Sequence, residues 1–198
     1  MSTNRRRFLQ QTLSVGGLSL AGTQALAAPP RQEPAAARPS RRNRIAVSTY
    51  SFWQFRHKDL RNIETCIDLA ADMGFDGVEI LHRQMEREEN DYLQRLKRRA
   101  FLNGLDLCGF STHQGFLSPN KETRQKNIDH TIHCIELAYK LGIPTMRVNT
   151  GTWGTSKDFD DLMAHRGLEP TPAGHTDEEG FKWVIDCFEK CIPTAGFN

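Results

Sequence analysis

A glutamate within one short apolar run and a histidine just after another could each reach a bound substrate. Glu79 lies within the run 77–81, and the alternation of a β-strand places it on the face opposite Val78 and Ile80. His113 directly follows the next apolar run. Carboxylate and imidazole groups can exchange protons with a substrate. We therefore predict both as catalytic candidates, with a structural carboxylate and a loop-capping histidine as the alternatives.

Three further polar residues occupy positions suited to binding. Arg147 and Asn149 share one face of the apolar run 145–149, and a guanidinium on that face could hold a phosphate or a carboxylate. Arg147 could equally form a structural pair with Glu79. His82 comes just after the run that contains Glu79, although the charged residues around it also fit a solvated turn. We predict His82, Arg147 and Asn149 as substrate-binding residues.

A repeating scaffold of strands and helices must position these side chains. Apolar runs predict β-strands at 45–50, 77–81, 106–112 and 145–149. Apolar residues at three- and four-residue steps predict a helix after each strand. The residues predicted to face the core are Leu60, Ile63, Ile67, Ala70, Leu93, Leu96, Ala100, Phe101, Ile128, Ile132, Ile135, Ala138, Phe181, Val184, Ile185 and Phe188.

Glycines and capping residues mark the ends of the predicted helices. Gly74, Gly104 and Gly142 follow the first three helices as left-handed caps. The fourth helix is predicted to begin at Thr176, in capping-box spacing with Glu179, after a long connection from Thr152 to His175. Residues 193–196 are then expected to lead into a fifth strand.

Strands separated by crossover helices run parallel, so the fold class is α/β with about four parallel βα units. Such units build either a doubly wound sheet or a barrel. No strand is followed by the Gly-x-Gly-x-x-Gly pattern of dinucleotide-binding sheets. The periodicity alone leaves the choice between the two architectures open.

Four stretches of the sequence carry a family resemblance. They are the opening strand 45–52, the segment 70–79 with its Gly-Phe-Asp-Gly-Val-Glu step, the triplet 111–113 and the segment 138–144. Together they resemble the sugar phosphate isomerase/epimerase family of xylose isomerase-like TIM barrels, a superfamily that also contains apurinic-site endonucleases. The resemblance extends over residues 44–193.

The resemblance implies a (β/α)₈ barrel with its site at the carboxyl ends of the strands. It also implies a divalent metal, Mn²⁺, Mg²⁺ or Zn²⁺, held by carboxylates and a histidine of the later strands. A complete barrel needs about 250 residues. We therefore expect residues 44–198 to form an incomplete barrel, the front half of a metal-dependent isomerase or epimerase. Such a half would be inactive alone and would contribute no metal ligand.

The same resemblance implies a sugar or sugar phosphate as the small-molecule partner. Trp53 and Trp153 follow the first and fourth predicted strands, and flat aromatic faces suit the apolar side of a sugar ring. We predict both as substrate-binding residues, with loop packing as the alternative. A half-barrel also leaves two unpaired sheet edges, which favour self-association.

The amino-terminal segment predicts export. Arg5, Arg6 and Arg7 precede a mildly apolar stretch that ends in a small-residue cleavage site at 25–27. Adjacent arginines before an apolar stretch are typical of a twin-arginine signal peptide, here residues 1–27, and hence of a periplasmic protein. Residues 28–43, rich in Pro, Ala and Arg, are predicted to be a disordered linker.

Composition favours neither nucleic acid nor a membrane as a partner. The chain has 26 basic and 24 acidic residues, a balance that drives binding to neither nucleic acid nor an anionic membrane. Its five cysteines are an odd number and lie within apolar patterns, so we predict buried free thiols rather than a disulfide framework.

Two other functions remain open at this stage. The first is hydrolysis of apurinic sites in DNA, which would require metal-binding histidines and a basic groove. The second is a non-catalytic half-barrel that binds a sugar or a partner chain. The near-neutral charge and the export signal do not favour the endonuclease, and the size and thermal stability of the purified chain would decide on the half-barrel.

Overall fold

The computed structural model describes residues 43–197. The predicted signal peptide, 1–27, and nearly all of the predicted linker, 28–43, lie outside these residues. Among the helices of the described part, none combines the length and apolar character needed to cross a membrane.

Strands and helices alternate along the described chain, as predicted. The strands are β1 (Ala46–Ser48), β2 (Gly77–Leu81), β3 (Asp106–Ser111) and β4 (Met146–Arg147). The helices are α1 (Thr49–Trp53), α2 (Ile63–Asp72), α3 (Asn90–Asn103), α4 (Lys121–Leu141), α5 (Phe159–Ala164) and α6 (Asp177–Phe197). Short 3-10 turns, Lys58–Leu60 and His82–Gln84, precede α2 and follow β2.

The four strands form one sheet in the order β1-β2-β3-β4, and every neighbouring pair is parallel. Each crossover therefore moves to the adjacent strand without the reversal of strand order that defines a doubly wound sheet. This sequential order is that of an open segment of a (β/α) barrel. It confirms the predicted α/β class and resolves the choice that the periodicity left open.

One face of the sheet packs against the helices. Val78 and Ile80 of β2 and Phe110 of β3 are fully buried in a single apolar cluster with residues of α2, α3 and α4. Because Glu79 alternates with two of these residues, it lies on the other face, as predicted. The helix-facing predictions hold for most residues, including Ile63, Ile67, Ala70, Leu93, Leu96, Ala100, Ile128 and Ala138.

Three of the residues predicted to face the core are instead exposed. Phe101, in the last turn of α3, is 75% exposed, and Phe181 and Ile185 of α6 are 70% and 53% exposed. The buried face of α6 instead contains Gly180, Cys187 and Cys191. The predictions for Phe181 and Ile185 were wrong because α6 is rotated, and that for Phe101 was wrong because the end of α3 leaves its ring in solvent.

A close approach at Gly180 accounts for this rotation. A Cβ atom at Gly180 would lie 2.7 Å from Leu117 Cδ1 and 2.8 Å from the Trp153 ring. Only glycine lets the helix come this near to the segment before it. The contact turns Gly180 toward the protein and the neighbouring Phe181 toward solvent.

The first strand is shorter than predicted because its serine and threonine side chains bind backbone groups. Ser48 caps α1 by accepting a hydrogen bond from Tyr50 N (3.3 Å), which ends the strand there. Thr49, fully buried, accepts a hydrogen bond at Oγ1 from Leu81 N (3.1 Å). The polar run after Val47 therefore forms a short helix at the end of the sheet.

Most of the predicted helix ends are confirmed. Gly104 and Gly142 cap α3 and α4 in the left-handed conformation, at φ +71° each. Thr176 and Glu179 form the predicted capping box, with Thr176 N donating to Glu179 Oε2 (3.0 Å) and Glu179 N donating to Thr176 Oγ1 (3.3 Å). Residues 193–196 do not leave the helix toward a fifth strand as expected, since α6 continues through Pro193 to Phe197.

A β-bulge interrupts the pairing of β2 with β3. Val78 lies opposite Leu107 and Glu79 lies opposite Gly109, so Cys108 is an extra residue in β3. Gly109 provides the space that the Glu79 side chain occupies, because a Cβ atom there would lie 3.1 Å from Glu79 Cγ. The bulge and the glycine together leave Glu79 room on the open face of the sheet.

Candidate functional site

The open face of the sheet ends in polar groups at the carboxyl ends of β2, β3 and β4. Glu79 is half-buried and takes part in none of the ion pairs found among residues 43–197. Ser111, one position beyond Phe110 in β3, is 1% exposed, and its Oγ atom has no hydrogen-bond partner within the described residues. A buried hydroxyl without a partner costs free energy, so this end of the sheet has unused hydrogen-bonding capacity.

Arg147 and Asn149 form a polar network with the segment after β3. Arg147 donates from Nη1 to Asn149 Oδ1 and from Nη2 to Thr112 O (3.3 Å). Gln114 donates from Nε2 to Asn149 O (3.3 Å) and also contacts Thr112 Oγ1. Arg147 is therefore held by residues that follow β3 and β4, and no ion pair joins it to Glu79 in the described structure.

His113 lies in an aromatic and cationic environment. Its ring meets the ring of Phe55 edge-on, with centroids 5.7 Å apart, and Phe55 in turn contacts Tyr50 (5.4 Å) and Trp53 (4.4 Å). The guanidinium of Arg83 also lies over the Phe55 ring, 5.5 Å from its centroid. The structure thus places the predicted residues Trp53 and His113 on either side of Phe55, beyond the ends of β1 and β3.

The charge state of His113 follows from these neighbours. Partial desolvation, together with the positive charges of Arg147 and Arg83, lowers the pKa of His113 below its usual 6.5. The imidazole is therefore neutral at pH 7 and able to accept a proton or a hydrogen bond. Because the folded state disfavours the protonated form, His113 contributes stability at pH values above 6.5 that is lost as the pH falls toward its folded pKa.

We expect the Arg147→Gln variant to raise the pKa of His113 toward 6.5 without reaching it, because desolvation remains. An NMR titration of the histidine ring protons measures this directly. Arg87→Gln removes an arginine that lies beside Asp91 instead and should leave the His113 titration unchanged. Equal shifts in both variants would contradict a specific effect of Arg147.

The structure does not bring Trp153 or His82 to this group. Trp153 donates from Nε1 to Asp177 Oδ1 (3.3 Å) and packs against Gly180, which gives it a contact with α6. His82 lies near Phe110, with ring centroids 5.8 Å apart, and hydrogen-bonds to Glu88 (2.7 Å). Phe110 belongs to the helix-facing core, so His82 is directed toward the helices.

The long connection between β4 and α6 is folded rather than extended. It contains α5, and Glu169 accepts hydrogen bonds from Gly154 N and Ser156 N (both 3.4 Å). Thr155 Oγ1 donates to Pro170 O (2.8 Å). These hydrogen bonds join residues 154–156, near the start of the connection, to residues 169–170 near its end.

Sequence comparison places the chain in a family. Residues 67–196, more than half of the chain, match the family model described as a xylose isomerase-like TIM barrel. The chain belongs to this family. No sequence among the curated proteins matches it significantly.

Solved structures show the same xylose isomerase-like fold. The apo 3-keto-D-glucoside 4-epimerase of E. coli superposes with a TM-score of 0.53 at 18% identity, covering 68% of this chain and 47% of the epimerase. The D-psicose 3-epimerase of Clostridium cellulolyticum H10, solved with D-tagatose, superposes with a TM-score of 0.57 at 15% identity, covering 77% and 48%. The chain therefore spans about half the length of these xylose isomerase-like proteins.

Possible metal ligands among the described residues form two groups. Among residues 43–197, the groups of three or more His, Cys, Asp or Glu side chains close enough to share an ion contain neither Glu79 nor His113. One group is His82, His130 and Cys134, and the other is His82, Glu88 and His133. The charged and titratable candidates at the strand ends are thus one carboxylate (Glu79), one neutral imidazole (His113) and one guanidinium (Arg147).

Sequence reasoning missed several residues of this region. Ser111 could have been found, because it alternates with Phe110 and ends an apolar strand. Phe55 carried no signal of its own, since its position depends on the left-handed backbone at Gln54 (φ 50°) and at Phe55 itself (φ 57°). His130 and His133 lie on α4 near His82. Their three-residue spacing on a predicted helix indicates that both rings share one face, so the pair could have been found from the sequence.

Proposed function

We propose that this chain supplies the first four βα units of a sugar isomerase or epimerase. The observation that carries the proposal is the grouping of a neutral imidazole, a fixed guanidinium and aromatic rings beyond the carboxyl ends of the strands. Sugars need hydrogen-bonding groups for their hydroxyls and an apolar surface for their ring faces. Two of the similar structures are sugar epimerases, which supports the same substrate class.

Within this proposal each residue has a distinct role. His113 accepts a hydrogen bond or a proton from a sugar hydroxyl, which requires the neutral form. Glu79 orients the substrate from the open face of β2 or exchanges a proton with it. Arg147 and Asn149 hold an anionic or hydroxyl group, and Trp53 with Phe55 packs against the sugar ring. Trp153 and His82 would contribute indirectly, since they contact α6 and the helix layer.

A divalent metal, Mn²⁺, Mg²⁺ or Zn²⁺, is part of the proposal for the complete enzyme. Such an ion polarises carbonyl and hydroxyl oxygens of a substrate. Glu79 and His113 lie in none of the ligand groups of the described residues, so we propose that the catalytic ligands come from later strands. The 198-residue chain should then bind a sugar without converting it.

The binding test uses D-tagatose, the sugar present in one of the similar structures. Ligand-observed NMR on the 198-residue chain should detect binding, and Glu79→Gln should weaken it at least about tenfold, because a hydrogen bond to a charged group is lost. Asp72→Asn, which changes an exposed carboxylate at the end of α2, should leave binding intact. Absence of sugar binding would contradict the proposed substrate class.

We also propose export to the periplasm by the twin-arginine route. The support is the order of the arginine cluster, the apolar stretch and the small-residue site within residues 1–27. Replacing Arg5, Arg6 and Arg7 with lysine keeps the positive charge and should retain the protein in the cytoplasm of a bacterial host, as cell fractionation would measure. Unchanged export of this variant would contradict the route.

A further inference from the structure

A second group of reactive side chains lies between the turn after β2 and helix α4. The carboxylate of Glu88 is placed between two histidines: His82 Nε2 is 2.7 Å from Glu88 Oε1, and His133 Nε2 is 2.6 Å from Glu88 Oε2. None of the three belongs to the group formed by Glu79, His113 and Arg147. The cluster therefore needs its own explanation.

Three separate elements contribute to this cluster. His82 begins the 3-10 turn that follows β2, Glu88 lies just before α3, and His133 lies on α4. The 3-10 turn is held in place by Gln84, which is fully buried and donates from Nε2 to Leu60 O (3.0 Å). A fixed turn and a long helix thus hold the two imidazoles on opposite sides of one carboxylate.

The donor atoms fit a transition-metal ion. The ligand atoms of His82, Glu88 and His133 all lie within 4.8 Å of one another. Zn²⁺ is bound by imidazole nitrogen and carboxylate oxygen at about 2.0–2.2 Å, with water completing a tetrahedron when the protein supplies three ligands. Mg²⁺ and Ca²⁺ prefer sets of oxygen ligands, so two nitrogens disfavour them.

Solvent can reach this group of ligands. The side chains of Glu88 and His133 are 39% and 46% exposed, whereas that of His82 is 14% exposed. An alternative group of His82, His130 and Cys134 also has its ligand atoms within 4.8 Å of one another. Cys134 is fully buried in the main apolar cluster, so an ion there would have to enter the core. A metal ion from solution can therefore reach the group of His82, Glu88 and His133 without entering the core.

We propose that His82, Glu88 and His133 form a Zn²⁺ site that fastens the segment between β2 and α3 to helix α4. The ion would replace the two histidine–carboxylate hydrogen bonds with three coordinate bonds. Its role is structural, since the site lies on the helix side of the sheet. The proposal is independent of sugar binding at the strand ends.

The test measures metal retention by the 198-residue chain. After treatment with a chelator and addition of Zn²⁺, dialysis followed by elemental analysis should find about one equivalent per chain, and the melting temperature should rise. Loss of a group that only hydrogen-bonds to a metal ligand weakens metal affinity at least about tenfold. Because His133→Gln and Glu88→Gln each remove a ligand itself, each should weaken Zn²⁺ binding by at least that factor. Added Mg²⁺ should not displace the ion.

His165→Gln is the matched control. His165, the capping residue just after α5, is also an exposed histidine beside a carboxylate, Asp161 (3.5 Å), but it belongs to no group of three ligands in the described residues. It should retain Zn²⁺ fully. Failure of the unaltered chain to retain Zn²⁺, or equal losses in His165→Gln and His133→Gln, would overturn the proposal. Melting temperatures of the metal-free variants show whether folding itself has changed.

Discussion

The Phe110→Ala variant is expected to lower the free energy of unfolding by about 3–5 kcal/mol. Phe110 is fully buried on the helix-facing side of β3, in the cluster that also contains Val78 and Ile80. Removing the ring loses its transfer free energy and leaves a cavity that a rigid sheet closes only in part. Urea or guanidinium denaturation monitored by circular dichroism measures the change.

Phe101→Ala provides the control for this variant. The residue type is the same, but Phe101 is 75% exposed at the end of α3, so the change should be within about 0.5 kcal/mol. If the two variants lost similar stability, the assignment of Phe110 to the core and of Phe101 to the surface would be contradicted.

The Gly151→Ala variant is expected to be the second most damaging change. Gly151 has φ +96°, which costs an alanine about 1–2 kcal/mol. The new Cβ atom would also lie 2.8 Å from Gly115 Cα and 3.2 Å from Leu117 N. These are backbone atoms, so the clash cannot be relieved by a side-chain rotation, and we expect a further cost of about 1–3 kcal/mol.

Gly154→Ala separates the two contributions. Gly154 also has a positive φ, +70°, but nothing lies within 4 Å of its would-be Cβ atom. The difference in unfolding free energy between the two variants therefore measures the contact of Gly151 with Gly115. This contact joins the segments after β3 and β4, where Phe116 N and Leu117 N both donate to Thr150 O (2.8 and 2.9 Å). Equal stabilities would show that the two segments are not packed together.

The order of the elements could be predicted because local signals agree with the fold. Glycine caps, apolar periodicity and short strands each reflect backbone preferences that act within a few residues. The orientation of Glu79 was predictable for the same reason, since alternation in β2 depends only on Val78 and Ile80 facing the helices. The same alternation predicted that Arg147 and Asn149 share a face, and the hydrogen bond from Arg147 Nη1 to Asn149 Oδ1 agrees with this.

Long-range contacts decided the features that could not be predicted. The direction of His82 depends on Glu88 and on Phe110, neither of which is its neighbour in a strand or helix. The rotation of α6 depends on the approach of Trp153 to Gly180, which lies 27 positions later in the sequence. Trp153 was predicted to bind substrate because it follows a strand, but its position after β4 did not reveal that α6 would be close to it.

The extra residue in β3 also affects how the sequence of this chain can be aligned with others. Leu107 and Phe110 face the same side of the sheet although three positions separate them, because Cys108 shifts the alternation by one. A homologue that lacked this residue would have an unbroken strand with the same side chains on each face. Its alignment with this chain would then require a one-residue gap in the middle of a strand, a position where gaps are normally penalised most heavily.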